Sequence, residues 1–404
     1  MSRLTELIEE LCPDGVEYRP LGELGSFFGG LSGKTKSDFV EIEDARPFVT
    51  YREVYSLIEI DRCPQGRVLV LPHEKQLALC RGDVLFTGSS ENADEVGLTA
   101  VVTTDFSEPV YLNSFSICLR WYDATFDSGY AKYLFTSSEV RRQIRRCASG
   151  VTRFNLSKKR LEGVSIPVPP LEVQREIARI LDQFTTLEAE LEAELEARRI
   201  QYEHYRNHLL SYESLAACGQ VEMVKLGECI KLSFGERITK MHDAGTRYPV
   251  FGGGGASFMT DSFNRSDEFV ISRFALSEVC VRFVPGEFWL LDSGITFDVN
   301  ESRCVKRYIG QFLLSRQNEI YRKSAGAAQR NLKTAEFLSM GIPLPGLSEQ
   351  RRIADLLDRF DALVNDISSG LPAEIAARRA QYEHYRDRLL SFPEKAGSGG
   401  SVAS

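Results

Sequence analysis

A chain that repeats itself at a fixed offset folds as copies of one unit, and that limits the fold before any residue is assigned to an element. Ile166-Pro167-Val168-Pro169-Pro170-Leu171 returns as Ile342-Pro343-Leu344-Pro345-Gly346-Leu347. Gln174-Arg175, Ile177-Ala178, Leu181-Asp182 and Phe184 return as Gln350-Arg351, Ile353-Ala354, Leu357-Asp358 and Phe360, all at an offset of 176 residues. The register reaches back to Gly150, Asn155 and Leu156 against Gly326, Asn331 and Leu332. Gln201-Tyr202-Glu203-His204-Tyr205-Arg206 reappears unchanged at 381–386, an offset of 180, so the second copy carries four additional residues. A fainter echo pairs Leu21-Gly22-Glu23 with Leu226-Gly227-Glu228. The chain is two copies of a variable block followed by a shared helical block.

The shared blocks, 166–212 and 342–392, follow proline-rich stretches that set a clean helix start. Apolar residues recur three or four apart, among them Leu181, Phe184, Leu191, Leu195 and Tyr202 in the first copy and Leu357, Phe360, Ile367 and Tyr382 in the second. That spacing gives a narrow seam which buries best against a similar helix, and one chain supplies both. The four additional residues fall near Ser368-Ser369-Gly370-Leu371-Pro372, where the proline disfavours helix at the residue before it, so a kink or short break is expected across 366–374. The variable blocks, 1–165 and 213–341, contain short apolar or β-branched runs cut by turn residues: Arg67–Leu71, Asp83–Phe86, Ser116–Trp121, Glu268–Ile271 and Glu278–Val284. Each ends in a basic helix, around 130–147 and 306–323. The expected fold is mixed α/β, with two sheet-and-helix domains joined by two long antiparallel helices. The tail, 393–404, reads as flexible.

No run approaches the ~18 apolar residues of a membrane span. The start lacks a signal peptide's apolar core, so a cytoplasmic protein is expected. Nine cysteines without a C-x-x-C fit buried thiols in a reducing compartment. The formal net charge is −8, which by itself disfavours a nucleic-acid partner. Local sign decides within a Debye length of ~8–10 Å, however. Arg141, Arg142, Arg145, Arg146, Arg153, Lys158, Lys159 and Arg160 face only Glu139 between residues 135 and 161. Arg303, Lys306, Arg307, Arg316, Arg322, Lys323, Arg330 and Lys333 face only Glu319.

Several motifs that would carry chemistry fail. Gly29-Gly30-Leu31-Ser32-Gly33-Lys34-Thr35 is one residue short between glycines for a P-loop, leaving Lys34 and Lys36 as phosphate contacts or as part of a solvated turn. Phe251-Gly252-Gly253-Gly254-Gly255 matches a methyltransferase glycine motif, but the accompanying [N/D/S]-P-P-[Y/F/W] element is missing, so it reads as a loop needing unusual backbone geometry or close approach. No Asp or Glu stands two positions before any lysine, as the common restriction-nuclease core requires. His204 and His208 share a helix face, but Arg388 replaces the second in the other copy, so no metal site is expected. No catalytic residue is assigned.

What recurs in both halves is a basic helix running into a polar loop, 150–158 and 326–334. Lys and Arg neutralise phosphates, and Arg, Asn and Gln pair bidentately with base edges. The candidate DNA contacts are Lys34, Lys36, Arg141, Arg142, Arg145, Arg146, Arg153, Asn155 and Lys158 in the first half. In the second half they are Arg322, Lys323, Gln329, Arg330, Asn331 and Lys333. The bland alternative is a basic face balancing an acidic partner protein.

The repeated Ile-Pro-x-Pro-x-Leu, Gln-Arg, Ile-Ala and Leu-Asp-x-Phe blocks, with the duplicated Gln-Tyr-Glu-His-Tyr-Arg, resemble the DNA specificity subunit of Type I restriction-modification enzymes over nearly the whole chain. Leu187-Glu188-Ala189-Glu190-Leu191-Glu192-Ala193-Glu194-Leu195 is similar to the central four-residue repeat whose copy number, in one branch of that family, alters half-site spacing. The resemblance implies a subunit without chemistry of its own, with two target-recognition domains that each read half of a bipartite, asymmetric DNA site. It implies helices that act as spacer and hold two methyltransferase subunits, and two restriction subunits joining for cleavage. S-adenosylmethionine, ATP and Mg²⁺ would sit only on those partners, with no cofactor here. It also implies that the chain ends lie near each other. The rival readings are a self-contained DNA methyltransferase or nuclease, and a coiled-coil protein adaptor.

Overall fold

The computed structural model describes all residues except 1–2, 43, 275, 325, 327–329, 366–370 and 396–404. The chain forms two compact units, Met1–Glu190 with Ala376–Ser404, and Leu191–Ile375. Each contains one variable block together with a segment from each long helix.

In the first unit a five-stranded sheet runs in the order Gly25–Gly29, Ser116–Trp121, Val84–Thr87, Thr99–Val102, Glu59–Ile60, antiparallel but for its last pairing. Val84–Thr87 and Thr99–Val102 are buried at every position, so both faces of the sheet are covered. Alternation along the strands divides the interior in two. Val84, Phe86 and Leu119 pack with Tyr130, Tyr133 and Phe135 beneath the helices, while Leu85, Ala100 and Cys118 pack with Val49 and Val54 on the other side. The expected basic helix is two helices, Ser128–Leu134 and Ser138–Arg146. Asp127 starts the first by accepting from the Gly129 and Tyr130 amides. The strand expected over Arg67–Leu71 stops at Val68, because the Leu69 amide turns to the Asp38 carbonyl.

The second unit has six strands in the order Ile230–Phe234, Gly294–Val299, Arg265–Ser272, Val281–Leu290, Tyr248–Gly252, Gly255–Thr260. Phe269, Ile271, Ile295 and Phe297 pack under Tyr308, Phe312 and Leu313 of the helix Lys306–Ser315. The glycine run 252–255 is the turn of a hairpin. Gly255 has φ of 128°, and Gly253 lies close under Ser272 and Ser293, the geometry a glycine run serves.

The Ile-Pro-x-Pro motifs are not helical. Ser165–Pro167 pairs with Tyr18–Pro20, and Gly341–Pro345 with Val221–Lys225, each closing its unit as a two-stranded ribbon. Helix begins after them, at Leu171 (to Leu209) and Leu347 (to Asn365), and a further helix covers Leu371–Leu389. The predicted kink at 366–374 centres on residues outside those described, as does Ile367. Pro372 occupies the first turn of Leu371–Leu389, where its missing N–H costs nothing.

The repeated Gln, Ile-Ala and Leu-Asp residues fasten each helix to its own variable block. Gln174 is fully buried. Its Nε2 donates to the carbonyls of Thr125 (2.9 Å) and Pro169 (2.8 Å), and its Oε1 accepts from the Asp127 amide (2.9 Å). Gln350 does the same with Arg303 (2.9 Å), Pro345 (2.7 Å) and the Val305 amide (2.8 Å). Asp182 accepts from the Tyr133 hydroxyl (2.6 Å) and pairs with Lys132 (2.9 Å). Asp358 accepts from Gln311 (2.9 Å) and pairs with Arg307 (3.2 Å). Leu181, Leu357 and Tyr202, expected on a seam or docking face, are interior to their own units, which removes them from contact with another subunit, while Tyr202 still meets Asp361 of the paired helix.

Helix pairs with helix inside each unit. In the first, Phe184 stacks on Tyr385 (5.8 Å) beside Tyr382 (6.4 Å), and Glu188 pairs with Arg379, an antiparallel register. In the second, the equivalent rings of Phe360 and Tyr205 stack at 6.3 Å. Leu191 and Leu195 are half-buried, and Leu195 packs on the core of the second unit. Leu187 is 53% exposed. A leucine every fourth residue drifts about 40° per repeat, so 187, 191 and 195 cannot all face one partner.

The tail is not wholly flexible, as the sequence suggested. The Val16 amide donates to Pro393 O (2.8 Å), the Lys395 amide to Val16 O (3.0 Å), and the Tyr18 hydroxyl to Phe392 O (3.0 Å). The start and end of the chain therefore meet as expected, while 396–404 lie outside the described residues.

Candidate nucleic-acid interface

One backbone frame recurs at the strand ends of the main sheet in both units. In the first, the Gly88 amide donates to Phe115 O (2.9 Å), the Leu156 amide to Gly88 O (2.8 Å), and the Gly30 amide to Ser116 O (3.2 Å). In the second, Arg273 donates to Ser293 O (2.9 Å), Leu332 to Arg273 O (2.9 Å), and Gly235 to Gly294 O (3.2 Å). A β-carbon on Gly30 would sit 1.9 Å from Asn113 O, and on Gly235 2.2 Å from Leu291 O, so both must be glycine. Gly29 and Phe234, Gly88 and Arg273, Ser89 and Phe274, and Phe115 and Ser293 occupy equivalent places. The frame is constant and the side chains on it differ.

On the first face, Asn155 is exposed on the strand Phe154–Leu156, which pairs with Ser89–Ser90. Exposed Arg153 reaches the Ser89 hydroxyl at 3.4 Å. Lys158 starts a short helix with its ammonium beside Gly29. Tyr51, Tyr55 and Phe115 border the same surface. Burial pushes the Tyr51 hydroxyl's pKa up, and the neighbouring Glu95 charge raises that of Tyr55. Lys36, Arg142, Arg145 and Arg146 are exposed. Of these, Arg142 pairs with Glu139 and Arg145 with Asp94.

Two assigned residues are spent internally. Lys34 has a side chain only 4% exposed, bonded to Leu69 O (2.6 Å) and the Glu74 carboxylate, so it clasps a loop rather than a phosphate. Arg141 points its guanidinium at the carbonyls of Asp94 (3.2 Å), Val96 (3.1 Å) and Gly97. Burial, then the neighbouring Arg145 charge, pushes its pKa down to about 10.

On the second face, Asn331 is exposed, Lys333 pairs with Glu336 (2.9 Å) and Lys323 with Glu319 (3.1 Å). Arg322 bonds back to Asn318 O of its own helix (3.2 Å). Arg330 corrects the sequence reading: it donates to the Ser324 hydroxyl (2.9 Å) and lies 4.6 Å over the Tyr321 ring, shaping the loop it was expected to extend from. Gln329 lies outside the described residues. The sequence reading missed Arg273, held between Phe234 (5.0 Å) and Phe274 (4.6 Å), whereas Arg282 is spent internally on Gly253 O (2.7 Å). Counting basic clusters could not find Arg273, since it lies in none. The available signal was Arg273-Phe274 directly after a buried strand.

Fold and faces together define a duplicated recognition scaffold: one module built twice, fastened to paired helices by the same contacts, with an unlike polar and aromatic surface on each copy. The family described as Type I restriction modification DNA specificity domain matches residues 13–197 and 219–377, and the chain belongs to that family. The specificity subunit of the Type I restriction enzyme EcoR124I/EcoR124II of Escherichia coli is 33% identical over 278 residues, 59% of this chain and 65% of that protein, so under two thirds of the relative's length is spanned. The EcoprrI specificity subunit of Escherichia coli is 26% identical over 91% of this chain and 93% of its own. Among solved structures, the Type I restriction-modification S subunit from M. genitalium superposes with a TM-score of 0.55 at 15% identity, covering 93% of this chain and 96% of that one. A chain from a study of complex assembly and conformational transition in a type I restriction-modification system superposes with a TM-score of 0.61 at 16% identity, covering 94% and 98%. At these identities the superpositions establish the shared fold.

Proposed function

We propose that this chain is the non-catalytic, sequence-reading subunit of a Type I restriction-modification complex. Each recognition block contacts one half of a bipartite, asymmetric site in double-stranded DNA. The paired helices act as spacer and hold two methyltransferase subunits, and two restriction subunits join for cleavage. S-adenosylmethionine, ATP and Mg²⁺ belong to those partners, and the complex works in the cytoplasm. Among the described residues, no helix is long and apolar enough to cross a membrane.

The observation that carries this reading is the common backbone frame with unlike side chains: Gly88, Ser89 and Phe115 on one face, Arg273, Phe274 and Ser293 on the other. A constant frame fixes how each module docks, and varied side chains let the two docked modules prefer different bases. The test is binding of the chain, assembled with its methyltransferase subunits, to duplex DNA across a salt series. Affinity should fall with log[salt] at a slope of about −0.9 per phosphate contacted. Binding that ignores salt and sequence would refute the proposal.

A further inference from the structure

A cavity of about 370 Å³ opens on the face of the first unit, between Tyr51, Tyr55, Phe115, Arg153, Glu91 and Glu95. Its walls are built. The Thr50 hydroxyl and the Glu53 carboxylate cap the helix Tyr51–Ser56, which sets Tyr51 and Tyr55 one turn apart with rings stacked at 6.4 Å. The Tyr51 hydroxyl donates to Ser89 O at 2.6 Å. Buried Asn113 donates to Val49 O (3.2 Å) and Ser116 Oγ (2.9 Å) and accepts from the Phe115 amide (3.0 Å), which holds the Phe115 ring out at 63% exposure. Arg141 fixes the carbonyls of the loop that carries Glu91 and Glu95.

The chemistry of the cavity is selective. Carboxylates repel phosphate, so two of them beside Arg153, Asn155 and Lys158 weaken general affinity for DNA. An ionised carboxylate only accepts hydrogen bonds. In the major groove, guanine and thymine present acceptors, and the donors are the exocyclic amino groups of adenine N6 and cytosine N4. Glu91 is exposed, and Glu95 accepts from Asn92 Nδ2 (3.1 Å) and from the Tyr55 hydroxyl, two of the roughly four acceptor sites of a carboxylate. The aromatic rings supply apolar contact to a neighbouring base or thymine methyl. On the second face, Arg273 and Ser293 stand where Gly88 and Phe115 stand on the first, so the second copy brings a guanidinium to a place where the first has none.

We infer that this cavity reads an exocyclic amino group, of adenine or cytosine, at one position of one half-site, with Glu91 and Glu95 as the acceptors. The inference rests on the DNA-reading role proposed above. The test uses the full chain with its methyltransferase subunits on duplexes randomised across both half-sites, comparing wild type with Glu91→Ala, Glu95→Ala and the double variant. Wild type should restrict one position, on one strand, to adenine or to cytosine, and the base selected names the source of the amino group. The double variant should relax that position by roughly 5- to 150-fold and leave the other half-site as it was. Glu91 is exposed, so Glu91→Ala alone keeps the test valid if Glu95→Ala disturbs the loop. Uniformly tighter binding with unchanged preference at every position would overturn the inference, because the carboxylates would then act only by repulsion. Absence of any sequence preference in wild type would overturn the DNA-reading proposal itself, and this inference with it.

Discussion

Replacing Gln174 with leucine tests whether the repeated glutamine is the fastening the structure makes it. The side chain is fully buried, and its removal strands the Thr125 and Pro169 carbonyls and the Asp127 amide. A stranded buried group costs about 2 kcal/mol, so three cost about 6, of which burying a leucine recovers about 2. The expected net loss is about 4 kcal/mol. Hydrogen exchange read at the amides of the helix Ser128–Leu134 should quicken by about a thousandfold, since each 1.36 kcal/mol is one decade. Gln350→Leu strands the matching carbonyls of Arg303 and Pro345 and the Val305 amide, and should cost the same, read at Lys306–Ser315. A loss under about 1 kcal/mol for either variant, or a wide disparity between them, would refute the claim that the repeat exists for this contact.

Arg141→Ala should lower the melting temperature through the loss of about 2–3 kcal/mol of charged hydrogen bonding, while the salt slope of DNA binding keeps its value. Lys158→Ala should do the reverse, leaving melting unchanged and making the slope shallower by about 0.9, measured by titration at several salt concentrations. Arg273→Ala should cost about 1–3 kcal/mol of discrimination at one base of one half-site, seen as a degenerate position when methylated sites are mapped. Deleting Glu188–Leu191 shortens the helix by about 6 Å, and with about 3.4 Å per base pair the preferred gap between half-sites should contract by one or two pairs.

The architecture was legible because duplication is written in residue identities. Gln174 and Gln350, Asp182 and Asp358, and Phe184 and Phe360 each make like contacts, so the same letters mark the same places. Their roles were less legible. Leu181 and Leu357 satisfy helical spacing equally well whether the stripe faces another helix or the block's own sheet, and periodicity cannot choose between the two. In sequence the Ile-Pro-x-Pro runs show only as stops before the helices, and it takes the partner strands at Tyr18–Pro20 and Val221–Lys225 to show that they close the units. The interface was least legible. Basic residues cluster by proximity in sequence, yet Lys34 finds Glu74 and Arg141 finds the 94–97 carbonyls across the fold, while Arg273 arrives from a strand end. Charge density along a chain says nothing about which guanidinium already has a carbonyl to serve.

Because each block is gripped by the same glutamine and aspartate at equivalent positions, neither grip depends on which surface the block carries. A block carried from one half to the other, or from a related chain, would meet the attachment it left. On the proposed function, exchange of coding sequence between the repeats would produce chains with unfamiliar targets and an unaltered chassis, and new preferences would arise by substitution of whole parts instead of residue-by-residue revision.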